Sequence, residues 1–255
     1  SMPITLNYAD DTNLIGFPAN FKLSEDRAPG FKYSQVASPN GRDLRFTDEA
    51  GGTLLPYQTD EWKPGGESRI WIKVPVVAKP TTKLHMLWGN PDEASAFPAY
   101  VTNGSTWSEY AGRWSMDDET GNKLLDASPK GNHAVKLNAN VAYTPLGILG
   151  GAHDWNTGNG DGALVPASDN LDLGSTFTAS MWLKFEGNAV TTGKTNDINY
   201  HRILSAKNWW NENRGFEFFV YDNQDKKVGA RGGPNNPNVN QNIVNSWKAS
   251  EWEFI

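Results

Sequence analysis

The sequence predicts an all-β protein built from two successive β-sandwiches, and three observations carry that prediction. The first is the stretch Thr176-Phe177-Thr178-Ala179-Ser180-Met181-Trp182-Leu183-Lys184-Phe185. Phe177, Ala179, Met181, Leu183 and Phe185 fall on one side and Thr176, Thr178, Ser180, Trp182 and Lys184 on the other, the two-residue period of a half-buried strand. The second is a series of short alternating segments through the first hundred residues, punctuated by Gly, Pro, Asn and Asp at sandwich-like intervals. The third is composition. Hydrophobic residues are only 38% of the chain, but Trp numbers 11, Gly 25 and Pro 15. That profile suits short strands and many turns, with aromatics supplying most of the burial. A length of 255 residues accommodates two such domains.

In chain order, Ile4–Tyr8 alternates and is expected to be a strand. A turn region from Asn13 to Pro18 leads into a second, Phe17–Leu23. Gly41–Asp48 is expected to be a strand with Leu44 and Phe46 inward and Arg42, Asp43, Arg45 and Thr47 mostly outward. Asp48-Glu49-Ala50-Gly51-Gly52 is a hairpin turn, its glycines free to take positive φ. Thr53–Tyr57 is the return strand, and Arg69–Val74 and Lys83–Trp88 are two more alternating strands. Residues 92–108 look like a linker, although Phe97, Tyr100 and Trp107 indicate that part of it packs. The domain boundary is placed near 105, giving domains 1–105 and 106–255.

The blocks Phe17-Pro18, Gly41–Asp48, Leu54–Tyr57, Trp71–Pro75 and Trp88–Pro91 resemble, in order, an uncharacterised exported bacterial domain. The resemblance covers residues 3–95. It implies a module that sits beside carbohydrate-binding-type sandwiches in large surface proteins, and in exported parts of proteins related to the ExbB/TolQ proton-channel components. It transfers no ligand or catalytic residue. Arg42, Asp43, Arg45 and Asp48 are either a binding site or an ion-paired strand edge that fixes the hairpin.

The second block runs Arg113-Trp114-Ser115-Met116-Asp117-Asp118-Glu119, Leu125-Asp126-Ala127-Ser128-Pro129-Lys130-Gly131-Asn132-His133, Gly150–Trp155 and Ala163–Pro166, then the opening strand. It resembles the bacterial LamG-like, concanavalin A-like jelly roll over residues 110–255. The resemblance implies strands at Arg202–Lys207, Gly215–Val220 and Val228–Arg231, and a domain that continues past Ile255, so the chain is expected to stop inside the second sandwich. Ser1-Met2 reads as a tag remnant, so an original leader is expected to have preceded it.

Composition excludes several function classes. A net charge of -6 with pI near 5.3 opposes nucleic-acid binding, which needs a basic face. With Cys 0 there is no disulfide, thiolate chemistry or Cys-based zinc site. No apolar run is long enough to span a bilayer. His85, His133, His153 and His201 show no metal-ligand spacing. No nucleophile elbow, phosphate-binding loop or dinucleotide fingerprint occurs. The paired carboxylates of a glycosidase strand motif are also missing: neighbours in Asp117-Asp118-Glu119 would point to opposite strand faces.

Two sites stay open. Asp117, Asp126 and Asn132 could hold a structural Ca²⁺, which the LamG resemblance makes common; the alternative is an acidic turn. Trp182, Trp209, Trp210, Asn211 and Glu212 combine flat aromatics with amide and carboxylate groups, the chemistry of glycan recognition. For Trp182 the alternative is burial under a loop, and for Trp209 and Trp210 it is packing. The expected function is non-catalytic recognition of a polysaccharide or glycosylated surface by part of a larger exported bacterial protein, at the cell surface or in the periplasm. The competing expectation is a structural or docking module of an envelope assembly.

Overall fold

A computed structural model of the chain is all-β, with strands in small antiparallel sheets. It describes residues 1–155, 161–174, 176–185, 200–206, 215–221, 228–232, 241–244, 248 and 250–255. These group into two compact units, Ser1–Asp154 with Gly162–Leu173, and Trp155–Asp161 with Gly174–Ile255. Residues 106–154 share a compact unit with the first hundred residues.

The first unit opens with β1 (Met2–Asn7), β2 (Leu14–Leu23), β3 (Arg45–Asp48), β4 (Tyr57–Glu61), β5 (Ser68–Val77) and β6 (Thr81–Leu87). They form two three-stranded sheets, ordered β1-β6-β3 and β2-β5-β4. The two-residue period explains which face each presents. On β5, Ser68, Ile70, Ile72 and Val74 are buried, while Arg69, Trp71 and Lys73 occupy the opposite face. Tyr57 and Ala19 lie opposite Ile72, and Phe21 lies opposite Ile70. Both sheets contribute to one apolar cluster that includes Ile4, Phe46, Leu84 and Met86 from the first and Leu23, Tyr57, Ile70, Ile72 and Val74 from the second. Phe46 meets Tyr57 edge to face at 5.0 Å. Full burial of such side chains is worth roughly 1.5–3 kcal/mol each, so this cluster is the main source of stability in the unit.

Two expected strands differ in extent. Gly41–Leu44 forms tight turns, with the Gly41 amide donating to the Ser38 carbonyl and the Leu44 amide to Gly41, and β3 starts only at Arg45. The segment Thr53–Tyr57 is divided between sheets. The Leu55 amide donates to Phe46 at 2.8 Å, whereas the Pro56 carbonyl accepts from Lys73 at 2.8 Å and Tyr57 pairs with Ile72. Pro56 has no amide proton, so it suits the corner where the chain leaves one sheet for the other.

The expected linker is a run of single turns: a 3₁₀ turn at Pro91–Glu93, helix α1 (Ala99–Thr102) and a 3₁₀ turn at Ser105–Trp107. Thr106 and Trp107 in it are buried. The first unit is completed by β7 (Lys123–Leu124), β8 (Ala134–Lys136), β9 (Ala142–Gly147), β10 (Gly150–Asp154) and β11 (Ala163–Leu164), as a β11-β8-β7 sheet and a β9–β10 hairpin.

The second unit holds β12 (Trp182–Lys184), β13 (Tyr200–Ser205), β14 (Phe216–Tyr221), β15 (Val228–Gly232), β16 (Gln241–Val244) and β17 (Trp252–Phe254). β13 to β16 form an antiparallel meander, and β12 pairs with β17. The strands expected near 202–207, 215–220 and 228–231 are therefore present. The long alternating stretch keeps its alternation of exposure from Ala179 to Phe185, but its ladder is only three residues long, and Thr176–Ser180 has no strand assignment. Phe177, expected inward, is half-exposed and lies against Phe216 at 4.4 Å. Among the described residues no helix is long and apolar enough to cross a membrane.

Candidate functional site

Of the five residues expected to contact a glycan, Trp182 is described, and Trp209, Trp210, Asn211 and Glu212 lie outside the described residues. Trp182 opens β12. The Met181 amide donates to the Ile255 carbonyl at 2.8 Å and the Ile255 amide returns a bond to Met181 at 2.9 Å. Met181 and Ile255 are thus a hydrogen-bonded pair. Antiparallel pairs alternate, so the next pair, Trp182 opposite Phe254, is of the other kind, with the backbones closer and the side chains in contact. Their ring centroids are 5.2 Å apart at an interplanar angle of 49°. Residues two apart share a face, so Lys184 and its partner Trp252 stand on the same side.

This aromatic face is open. Trp182 is 38% exposed and Phe254 60% exposed, unusual values for large rings that are already in contact with each other. The loop cover that would have explained Trp182 otherwise is not seen among the described residues. Trp252 and Phe254 were not among the residues expected to contact a glycan. The signal that would have found them is the alternation of Trp252-Glu253-Phe254, which puts two rings on one side of a short strand.

The three residues expected to hold Ca²⁺ are arranged as follows. Asp126 and Asn132 are brought together in one turn, both buried. Asp126 Oδ1 accepts from the amides of Arg113 and Ser128, each at 2.8 Å. Its Oδ2 accepts from Ser128 Oγ at 2.7 Å and from the Asn132 amide at 2.9 Å. The Asn132 side chain donates to the Ala111 carbonyl at 2.7 Å and accepts from Ser168 Oγ at 2.7 Å. Asp117 belongs to a different set: its Oδ1 accepts from the Gly151 amide, and burial raises its pKa above the usual carboxylate value. Among the described residues no group of three or more His, Cys, Asp or Glu is placed to hold a metal. The carboxylate at the centre of this turn is occupied by protein donors, an arrangement that shapes a loop.

The charged block Arg42–Asp48 is also part of the scaffold. Asp43, expected outward, is 1% exposed. It accepts from the amides of Ala37 and Ser38 at 3.0 Å and of Gly89 at 2.7 Å. The reason is the tight turn at Gly41, which replaces the regular alternation of a strand. Arg45 pairs with Glu93 and donates to the carbonyls of Arg42 and Leu44. Asp48 accepts from the Gly52 and Thr53 amides, closing the hairpin as expected, and hydrogen bonding to Thr53 holds its carboxyl below the usual range.

Comparison with curated proteins finds no match, and comparison with solved structures finds none either. No LamG-like or concanavalin A-like family model matches the chain. One family model does, described as a domain of unknown function (DUF2341), and it matches residues 40–106, the stretch that contains Asp43, Arg45, Asp48, Trp71 and Gly89.

Proposed function

We propose that the chain is a non-catalytic module recognising a polysaccharide or glycosylated surface, as part of a larger exported bacterial protein at the cell surface or in the periplasm. In this reading residues 106–255 are part of a concanavalin A-like jelly roll and residues 1–105 a β-sandwich. The observation that carries the reading is the open face of β12 and β17, where Trp182 and Phe254 are fixed by their cross-strand pairing and still present ring surface to solvent. A pyranose offers an apolar C–H face that stacks on such rings, with hydroxyls left for amide and carboxylate partners. Trp209, Trp210, Asn211 and Glu212 are the proposed source of those partners.

Affinity gel electrophoresis through a panel of soluble polysaccharides tests the reading. At least one polysaccharide is expected to retard the native protein. Trp182→Ala and Phe254→Ala should each weaken that retardation by roughly 1–2 kcal/mol, about tenfold in affinity. Retardation that survives both substitutions overturns this site.

A second reading, a docking module of an envelope assembly, is favoured by a different observation. Ile15, Phe17 and Val76 are exposed on one face at the end of the β2–β5 pair. It gains if no polysaccharide retards the protein. Release of sugar from any polysaccharide would instead revive a hydrolase.

A further inference from the structure

The outer face of the β2-β5-β4 sheet carries polar and aromatic groups, and the chain just beyond the 3₁₀ turn at Ser105–Trp107 lies across it. Trp107 packs edge-on against Trp71 at 5.2 Å and donates its indole N–H to Gln58 Oε1 at 2.6 Å. Lys73 reaches Glu109 at 3.2 Å. At the end of this strap, Arg113 places its guanidinium 4.8 Å from the Trp107 ring centroid and 6.0 Å from that of Trp71. It forms an ion pair with Asp60, whose side chain is 1% exposed. Asp60 is the extra residue of a bulge in β4, between Thr59 and Glu61, and a bulge re-aims the side chain it carries. The second oxygen of Asp60 also accepts the Trp71 indole N–H at 2.7 Å, and Gln58 donates to the first at 3.2 Å. The recess thus seats a guanidinium beside two packed indoles, with Nη2 facing a carboxylate held by two other donors and Nη1 buried without a hydrogen-bond partner.

The backbone of the same residue belongs to a different part of the chain. The Arg113 amide donates to Asp126 at 2.8 Å, and its carbonyl accepts from the Ala127 amide at 2.7 Å. Trp114 next to it donates to the Asn132 carbonyl at 2.9 Å. At the other end of the strap, Gly104 lies so close to the same turn that a Cβ would fall 2.7 Å from the Pro129 nitrogen.

We infer that Arg113 is a latch: through its side chain the β4–β5 sheet holds the 105–136 segment in order, including the Asp126 turn, β7 and β8. The segment has little apolar core of its own, with Trp107, Leu124 and Ala134 as its buried hydrophobic residues, so its order is borrowed from the sheet that Arg113 grips. The consequence is that the 40–106 family unit and the block that follows do not behave as separate modules.

The test is amide hydrogen exchange, followed by mass spectrometry, on the full chain. Arg113→Ala is expected to speed exchange at least tenfold throughout 105–136, reaching β7 and β8. Arg113→Lys keeps the charge but loses the planar fork and the stacking surface, and should give the same pattern at smaller amplitude; it serves also if the alanine variant does not fold. The decisive variant is Asp60→Asn, which changes a residue on β4, outside the 105–136 segment. Faster exchange in β7 and β8 in this variant supports the latch. Loosening confined to β4, or to the strap around Arg113, overturns it.

Discussion

Asp126 gives both carboxylate oxygens to donors of its own chain, four in all, and its role follows from that count. A carboxylate so engaged would have to break bonds to take a calcium ion, so chelation with EDTA is expected to leave the melting temperature unchanged; a fall on chelation would show an ion bound here. Asp126→Ala strands buried amides at a cost of about 1–3 kcal/mol apiece, and a chemical denaturation midpoint well below the native one is the expected outcome. His153 behaves differently because it titrates. It is buried on β10, edge to face with Tyr143 at 5.7 Å. Burial, together with nearby Lys136, lowers its pKa against the smaller opposing effects of the Ala142 backbone and Asp118. The unfolded chain therefore binds the proton first, and stability falls as pH drops below the ordinary histidine value near 6.5 toward the lower folded value. His153→Phe keeps the ring contact and removes the proton site, so its urea midpoint should vary less between pH 7 and 5 than that of the native protein. Neither role was legible in the sequence. The Asp126 turn resembles a calcium site in composition alone, and the burial of His153 depends on a hairpin whose first strand has no clear alternation.

At the scale of elements, alternation was informative where a strand has one face on the apolar cluster. β1, β6 and the Ser68–Val74 part of β5 follow the two-residue pattern closely, and so does the exposure of Ala179–Phe185, whereas β2 changes its buried side along its length. It failed where geometry is set by turns and partners. The turns at Gly41 carry Asp43 inward, and Pro56 divides one apparent strand between two sheets. The β12–β17 face was half legible: Trp182 stood out as the aromatic on a polar side, but its partner Phe254 is remote in sequence, and no local pattern names a cross-strand neighbour. The most consequential element contact in the first unit is that of Gly89 with Asp43, which ties the end of β6 to the loop before β3. Gly89 has φ +86°, and a Cβ there would meet the Gln35 carbonyl oxygen at 3.1 Å. Gly89→Ala should therefore cost about 1–2 kcal/mol from the left-handed backbone alone. Asp43→Asn keeps one carboxyl-type oxygen for three amide donors and should also destabilise. Denaturation midpoints for the two variants and their double mutant check both effects. Because the residues share a hydrogen bond, the two costs should add to more than the double mutant loses.

For the whole molecule, the distribution of buried apolar groups sets the order in which parts come undone. The apolar cluster lies entirely within the first ninety residues, with Leu23, Phe31, Leu44, Phe46, Tyr57, Ile70 and Val74 at 0% exposure. In the second unit, Phe219 is the buried hydrophobic residue among those described, and large rings such as Trp182 and Phe254 face solvent. Local stability follows local burial, and the slope of denaturant unfolding follows the surface exposed. The two units should therefore not share one transition. With rising urea, exchange in β12, β14 and β17 is expected to become fast first, while β2, β5 and β6 stay protected to a higher midpoint. The binding face proposed on β12 and β17 sits in the second unit, so a retained polysaccharide should raise the first midpoint and leave the second in place, by an amount set by its concentration relative to Kd. A single coincident loss of protection in all six strands would contradict the division, and a ligand-dependent shift of the second midpoint alone would move the binding face to the first unit.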